Sequence, residues 1–270
     1  MRFWPRLSPR FEATILAGLA GISVLTTVFA LVLTALVFAG RHPLVAGLFG
    51  WCERLSRALP WWVGLPATLA LIGLLFGGGA VTVRFLQARP AKDAPGVLVV
   101  GTDLLLAYSV AGRAGQIVVS NGLLARLTPD ERRVVFAHEA AHLRLRHHRL
   151  LWLADIAALN PLLRPTRARL RFALERWADE EAVGIVGDRN LVARAIAAAA
   201  LVSVGESPRA ALGVAGSGVV ERVEALLRPA SVSRPVAASL SAVAVMLGGA
   251  LLTVAAVPVL AHLITHLCGV

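Results

Sequence analysis

His138, Glu139 and His142 stand in the order His-Glu-Ala-Ala-His. If this stretch is helical, residues four apart lie on one face, one turn above the other. Two imidazoles so placed can bind one Zn²⁺ at about 2.0–2.1 Å. Glu139 is rotated from His138 by about 100° and reaches past the metal instead of ligating it. A bound metal lowers the pKa of its water to about 7, and a neighbouring carboxylate can accept the proton as that water attacks a carbonyl. The chemistry is metal-assisted hydrolysis. Chance would produce this five-residue pattern in roughly one chain in a hundred of this composition. The competing reading is a polar helix face with two solvated histidines.

A catalytic zinc site takes three protein ligands and leaves a position open. The third is expected on another helix. Leu174-Glu175-Arg176-Trp177-Ala178-Asp179-Glu180-Glu181 lies in a segment, from about Thr166 to Val186, with helical spacing of Leu170, Leu174, Trp177 and Ala178. Glu175 is the expected ligand. Asp179, one turn later on the same face, can accept a hydrogen bond from a ligating histidine and so fix its tautomer. Glu180 and Glu181 compete with Glu175 for the ligand role, and a solvated acidic face is the remaining reading.

These residues need rigid elements to position them. Thr128 suits a helix N-cap, Pro129 the first helical position, and Glu131 completes a capping box. Val134, Val135, Ala141 and Leu145 then continue a helical pattern to His147, so the motif is expected on an unbroken helix. Upstream, Val97–Val100, Ala107–Val110 and Gln116–Ser120 read as short strands separated by Gly101, Gly112 and Gly115. The run Ala-Gly-Arg-Ala-Gly between the last two suggests a hairpin turn. Residues 91–233 are expected to form a mainly helical α+β domain with a small β-sheet.

The rest of the chain is of another kind. Apolar residues make up 57% and charged residues 16%, against roughly a quarter charged in ordinary soluble domains. Three segments, residues 13–39, 61–83 and 236–260, approach or exceed the ~20 residues a transmembrane helix needs. Residues 1–90 are thus expected to form a membrane anchor with two helices, and residues 234–270 a C-terminal transmembrane helix. The first segment is too long for the apolar core of a cleaved signal peptide and is read as a retained anchor. Arg2, Arg6 and Arg10 before it, with Arg84, Arg89 and Lys92 after the second, place the middle domain on the cytoplasmic side of the cell membrane. Arg41, Arg54 and Arg57 fall in the outer loop and weaken that asymmetry. Of the net charge of +11, most lies between Arg84 and Arg234, a stretch that holds 21 of the 27 basic residues and 14 of the 16 acidic ones. Without a recognisable nucleic-acid motif, this excess is read as juxtamembrane charge, and no direct nucleic-acid binding is expected.

The His-Glu-x-x-His motif, followed some 30 residues later by Glu175 and Asp179, resembles the gluzincin pattern of membrane metallopeptidases. Asn160-Pro161 and Glu-Arg-Trp-Ala-Asp-Glu-Glu-Ala resemble the BlaR/MecR-type antibiotic-sensing receptor peptidases. The Ala-Asp pair is also similar to HtpX-like and CAAX-prenyl-type membrane peptidases. The resemblance covers about residues 97–186. It implies a zincin-like fold with His138, His142 and Glu175 as ligands, Glu139 as base and Asp179 behind a ligand. It further implies a protein substrate cut at the cytoplasmic face of the bilayer, such as a transcriptional repressor. Membrane-protein quality control is the alternative, and a non-catalytic membrane scaffold with structural zinc is a second. The receptors carry a penicillin-binding sensor after their last membrane helix. Here only about ten residues follow the third segment.

Weaker signals remain. His147 and His148 are expected to continue the motif helix; one could stabilise an oxyanion, but with Arg144, Arg146 and Arg149 they are read as a solvated basic patch. His262 and His266 are read as interfacial. The apolar run 150–163 is too short to span a bilayer and contains Asp155. Cys52 and Cys268 are read as unpaired thiols, or as a pair on the outer face.

Overall fold

Apolar runs of about 30 residues and runs of four or five build different objects from this chain. The computed structural model describes residues 8–49, 59–87, 96–112, 115–204 and 214–228. They are mostly helical, with one small mixed sheet. Helices α1 (Pro9–Ala39) and α3 (Trp61–Gln87), with the short α2 (Pro43–Phe49) between them, come first. Strands β1 (Gly96–Val100), β2 (Ala107–Val110) and β3 (Gln116–Ser120) follow. Then come α4 (Asn121–Arg126), α5 (Pro129–Arg144), α6 (His147–Ala157), a 3₁₀ turn at Pro161–Leu163, α7 (Arg164–Val186), α8 (Arg189–Val204) and α9 (Val214–Leu227).

Two of these helices, α1 and α3, are long and apolar enough to cross a membrane. The third expected segment, residues 236–260, lies outside the described residues, as do Cys52, Cys268, His262 and His266. The described residues form two compact units, one within 8–16, 83–152 and 165–228, the other within 17–82 and 153–164. Within the second unit, a Cβ at Gly64 would lie 2.2 Å from the Phe38 ring. Only glycine lets α3 approach α1 so closely there.

The first unit carries the sheet. Its order is β1-β3-β2, with β1 parallel and β2 antiparallel to the central β3. Partners run from Gly96 opposite Gln116 to Val100 opposite Ser120 on one side, and from Ala107 opposite Val119 to Val110 opposite Gln116 on the other. Residues 113 and 114 of the expected hairpin turn lie outside the described residues. Burial follows strand position: Val119 of β3 is fully buried, while every residue of β1 is exposed.

Ser120 ends β3 and caps α4, its hydroxyl accepting from the Leu123 amide at 3.1 Å. Thr128 caps α5 through the full capping box: its hydroxyl accepts from the Glu131 amide, and the Glu131 carboxylate accepts from the Thr128 amide at 2.8 Å. The buried side of α5, Val134 and Ala137, packs with Ala182 of α7, Val192, Ala193 and Ala195 of α8, and Leu226 of α9. Val135 and Phe136 of α5 pack against Val119, Leu123 and Leu127. The helix is therefore fixed between the sheet and three other helices.

The motif helix does not run unbroken to His147. It stops at Arg144; Leu145 is the C-cap, Arg146 has φ 55°, and α6 starts at His147. A non-glycine residue in that left-handed region costs about 1–2 kcal/mol. The break turns the chain sharply and gives His147 a direction that a straight helix would deny it.

Thr128→Ala removes one half of the capping box. It is expected to lower stability by about 1 kcal/mol, read as a reduced thermal midpoint of the detergent-solubilised full chain.

Candidate metal centre

Helix α5 points two imidazoles the same way: His138 Nε2 and His142 Nε2 lie 3.1 Å apart. Helix α7 brings Glu175 to them. Its Oε2 is 3.5 Å from His138 Nε2, and its Oε1 is 3.8 Å from His142 Nε2. Ligands about 2.0–2.1 Å from a tetrahedral centre stand about 3.3 Å from one another. The three donors have this spacing, and the set can hold a metal ion.

The carboxylates that compete with Glu175 in sequence face other partners. Glu180 receives both arms of Arg189, at 2.9 and 2.6 Å. Glu181 is bound by Arg144 and accepts from Trp177 Nε1 at 3.2 Å. Of the three glutamates, Glu175 alone joins the histidines.

Asp179, only 1% exposed, places Oδ1 2.9 Å from His138 Nδ1. A proton on Nδ1 would meet this carboxylate and leave the Nε2 lone pair directed at Glu175 and His142. Glu139 is partly buried and hydrogen-bonded by Ser109 of β2, so the sheet edge and the motif helix meet at the carboxylate between the histidines.

One member of the site was not singled out from sequence. Arg222 of α9 donates from Nε and Nη2 to the two oxygens of Asp179, at 2.8 and 2.7 Å, and its Nη1 lies 3.2 Å from Glu175 Oε2. A planar guanidinium can make such a bidentate contact, and an ammonium cannot. Arg222 follows Asp179 by 43 residues in an unremarkable Glu-Arg-Val-Glu setting, and no local spacing marks it.

His147 departs from expectation as well. It belongs to no solvated patch: it is fully buried, with Nδ1 2.9 Å from His142 Nδ1. His148 instead stacks on Phe85, with ring centroids 5.9 Å apart.

Residues 86–204 match the model of peptidase family M48. No curated protein and no solved structure matches the chain. The M48 match runs from the end of α3 through α8, takes in His138, Glu139, His142, Glu175 and Asp179, and stops before Arg222. It supports the M48 metallopeptidase family for this part of the chain and does not confirm the BlaR/MecR subtype.

Electrostatics of the M48-like site follow from burial and pairing. Burial alone would lower the pKa of His138, but hydrogen bonds to Asp179 and Glu175 and their charges raise it to about 9. His142 falls to about 4, through burial and then the neighbouring His138 charge. Glu175 and Asp179 are both held below the usual carboxylate range. Burial would raise each, but Glu175 has the His138 hydrogen bond and the Arg222 charge, and Asp179 has hydrogen bonds from Arg222 and His138. Burial raises Glu139, against the His138 charge.

At neutral pH the metal-free site thus carries its proton on His138. That proton stabilises the metal-free fold fully below the ordinary value of 6.5, and its contribution is lost as pH rises through about 9. Glu175 and Asp179 contribute in the opposite sense, above the ordinary carboxylate range, and lose it as pH falls. A metal taking the His138 lone pair must displace the proton. Zn²⁺ uptake at pH 7 is expected to release about one proton, falling towards none above pH 9. Calorimetry in buffers of different ionisation enthalpy measures the number directly.

Proposed function

We propose that this protein is an integral-membrane, zinc-dependent endopeptidase acting on protein substrates at the cytoplasmic face. The observation that carries the reading is the meeting of His138, His142 and Glu175 beside the Glu139 carboxylate. The M48 match over the same residues supports it.

His138 and His142 would hold the ion through Nε2, and Glu175 through its carboxylate. When bound, Zn²⁺ would supply the Lewis acidity that polarises the scissile carbonyl and acidifies water. Glu139 takes the proton from the attacking water and passes it to the leaving amine. A base must be poised near the working pH, and burial moves Glu139 in that direction. Asp179 keeps His138 protonated on Nδ1, so that Nε2 stays free to ligate. Arg222 faces both carboxylates, the buried Asp179 and the half-buried Glu175, and would fix their orientation.

Substrate binding is assigned to β2. One side of this strand pairs with β3; the other pairs with no strand among the described residues. Ser109 ties the strand to Glu139, so a peptide added along the free edge would run past the base. The cytoplasmic orientation rests on Arg84 in the last turn of α3 with Arg89 and Lys92 beyond it, and on Arg2, Arg6 and Arg10 at the N-terminal end of the chain. Cleavage of a cytoplasmic regulator, such as a transcriptional repressor, fits this placement. Turnover of membrane proteins fits it also, and the two readings share one site chemistry.

Glu139→Gln keeps the size of the side chain and removes the base. It should retain zinc and lose proteolysis by about 10²–10⁴-fold; unchanged turnover would remove this mechanism. Glu175→Ala should lose zinc in a metal assay of the purified chain, and full stoichiometric retention would remove Glu175 from the ligand set.

A further inference from the structure

The buried ring of His147 has no part in the chemistry above, yet it touches a residue that does. Its Nδ1 lies 2.9 Å from Nδ1 of His142, with ring centroids 4.9 Å apart and planes at 83°. On its other side it meets the Trp177 ring at 5.0 Å. Trp177 is itself fixed by the hydrogen bond from its Nε1 to Glu181. Residues five apart on a continuous helix point about 140° from each other, so they cannot meet edge to edge. The contact exists because the helix breaks at Leu145 and Arg146, and the positive φ at Arg146 is a cost accepted at that point.

We propose that His147 is a positioning residue for the metal centre, accepting at Nδ1 a hydrogen bond from Nδ1–H of His142. This rests on the metallopeptidase reading and adds a residue to it. Two of the proposed ligands are imidazoles, and each has one nitrogen facing the other ligands and one facing away. Asp179 occupies the far nitrogen of His138; His147 occupies the far nitrogen of His142.

The proton assignment is forced by the ligand role. If His142 binds metal through Nε2, its proton sits on Nδ1, and the facing nitrogen of His147 must be the acceptor. The proton of His147 then sits on Nε2, which is buried and has no hydrogen-bond partner among the described residues. A buried unpaired donor costs about 1–3 kcal/mol. An apolar side chain of similar size would avoid that cost, so packing alone gives no reason for a histidine here. Acceptance from His142 does.

The test compares His147→Leu, which fills the space without an acceptor, with His147→Asn, whose amide oxygen can stand near the place of Nδ1. Zn²⁺ affinity is measured by chelator competition on the detergent-solubilised full chain, and the thermal midpoint is measured without metal. The Leu variant should bind Zn²⁺ about 10–100-fold more weakly with an undiminished metal-free midpoint, and Asn should recover most of the affinity. Wild-type affinity in the Leu variant overturns the proposal. So does an Asn variant as weak as Leu with a lowered midpoint, the mark of a packing role only. If the Leu variant fails to fold, the Asn variant decides alone: tight binding supports the hydrogen bond, and weak binding overturns it. Failure of the unaltered protein to take up Zn²⁺ would instead overturn the metallopeptidase reading, and this inference with it.

Discussion

Glu175 and Asp179 sit one turn apart on α7, Asp179 buried and Glu175 partly so, and burial alone would push both towards the neutral form. They remain carboxylates because Arg222 and His138 face them. An ionised carboxylate without such partners would cost several kcal/mol in the interior. The other features of the site depend on this pairing. It joins α9 to α7, sets the direction of the His138 ring, and leaves Glu175 with an oxygen near each histidine. Arg222 supplies a charge that cannot be titrated away in the working range. The centre is therefore held together without a metal, with the His138 proton in the electrostatic role that a bound ion would take over.

The two histidines are consequently unequal. They are related by one helical turn and look equivalent in sequence, but the structure gives them opposite charge preferences. His138 faces two carboxylates and is held protonated; His142 faces His138 and the neutral ring of His147, and is held neutral. The pair resembles an ion site half filled by a proton. Burial strengthens each of these interactions because there is little water to screen them.

Much of this was legible in the chain itself, where short-range rules apply. The capping box at Thr128 and Glu131, the helical pattern through Leu170 and Leu174, and the one-turn spacing of Glu175 and Asp179 express contacts within a few residues, and the three strands show as short apolar runs between glycines. The choice of Glu175 over Glu180 and Glu181 could be argued from spacing, but their actual partners, Arg189 and Arg144, come from tertiary packing. Arg222 was invisible for the same reason: a lone arginine between two glutamates has no periodicity to betray it. The break at Leu145 and Arg146 was hidden differently. Leu-Arg-Leu-Arg-His-His has good helix formers throughout, and nothing local demands a positive φ at Arg146. The break is what brings His147 against His142.

A last constraint joins the site to the N-terminal helix. Glu12, in the first turn of α1, is 5% exposed and lies 3.7 Å from both Arg169 and Arg176 of α7, while Arg10 stands over the Trp177 ring at 5.8 Å. These partners are near neighbours of Glu175 in the chain, and the first turns of α1 belong to the compact unit that holds the metal centre. The length of the helix makes this feasible. At 31 residues and 1.5 Å per residue it is about 46 Å long, against a hydrocarbon core of about 30 Å. A span can therefore cross the bilayer and still extend several turns into water. A carboxylate at Glu12 would be expensive in lipid; between two guanidinium groups of α7 it becomes a fastening. Under the membrane reading proposed above, the anchor would begin past Glu12, and the first turn of α1 belongs to the compact unit that holds the site.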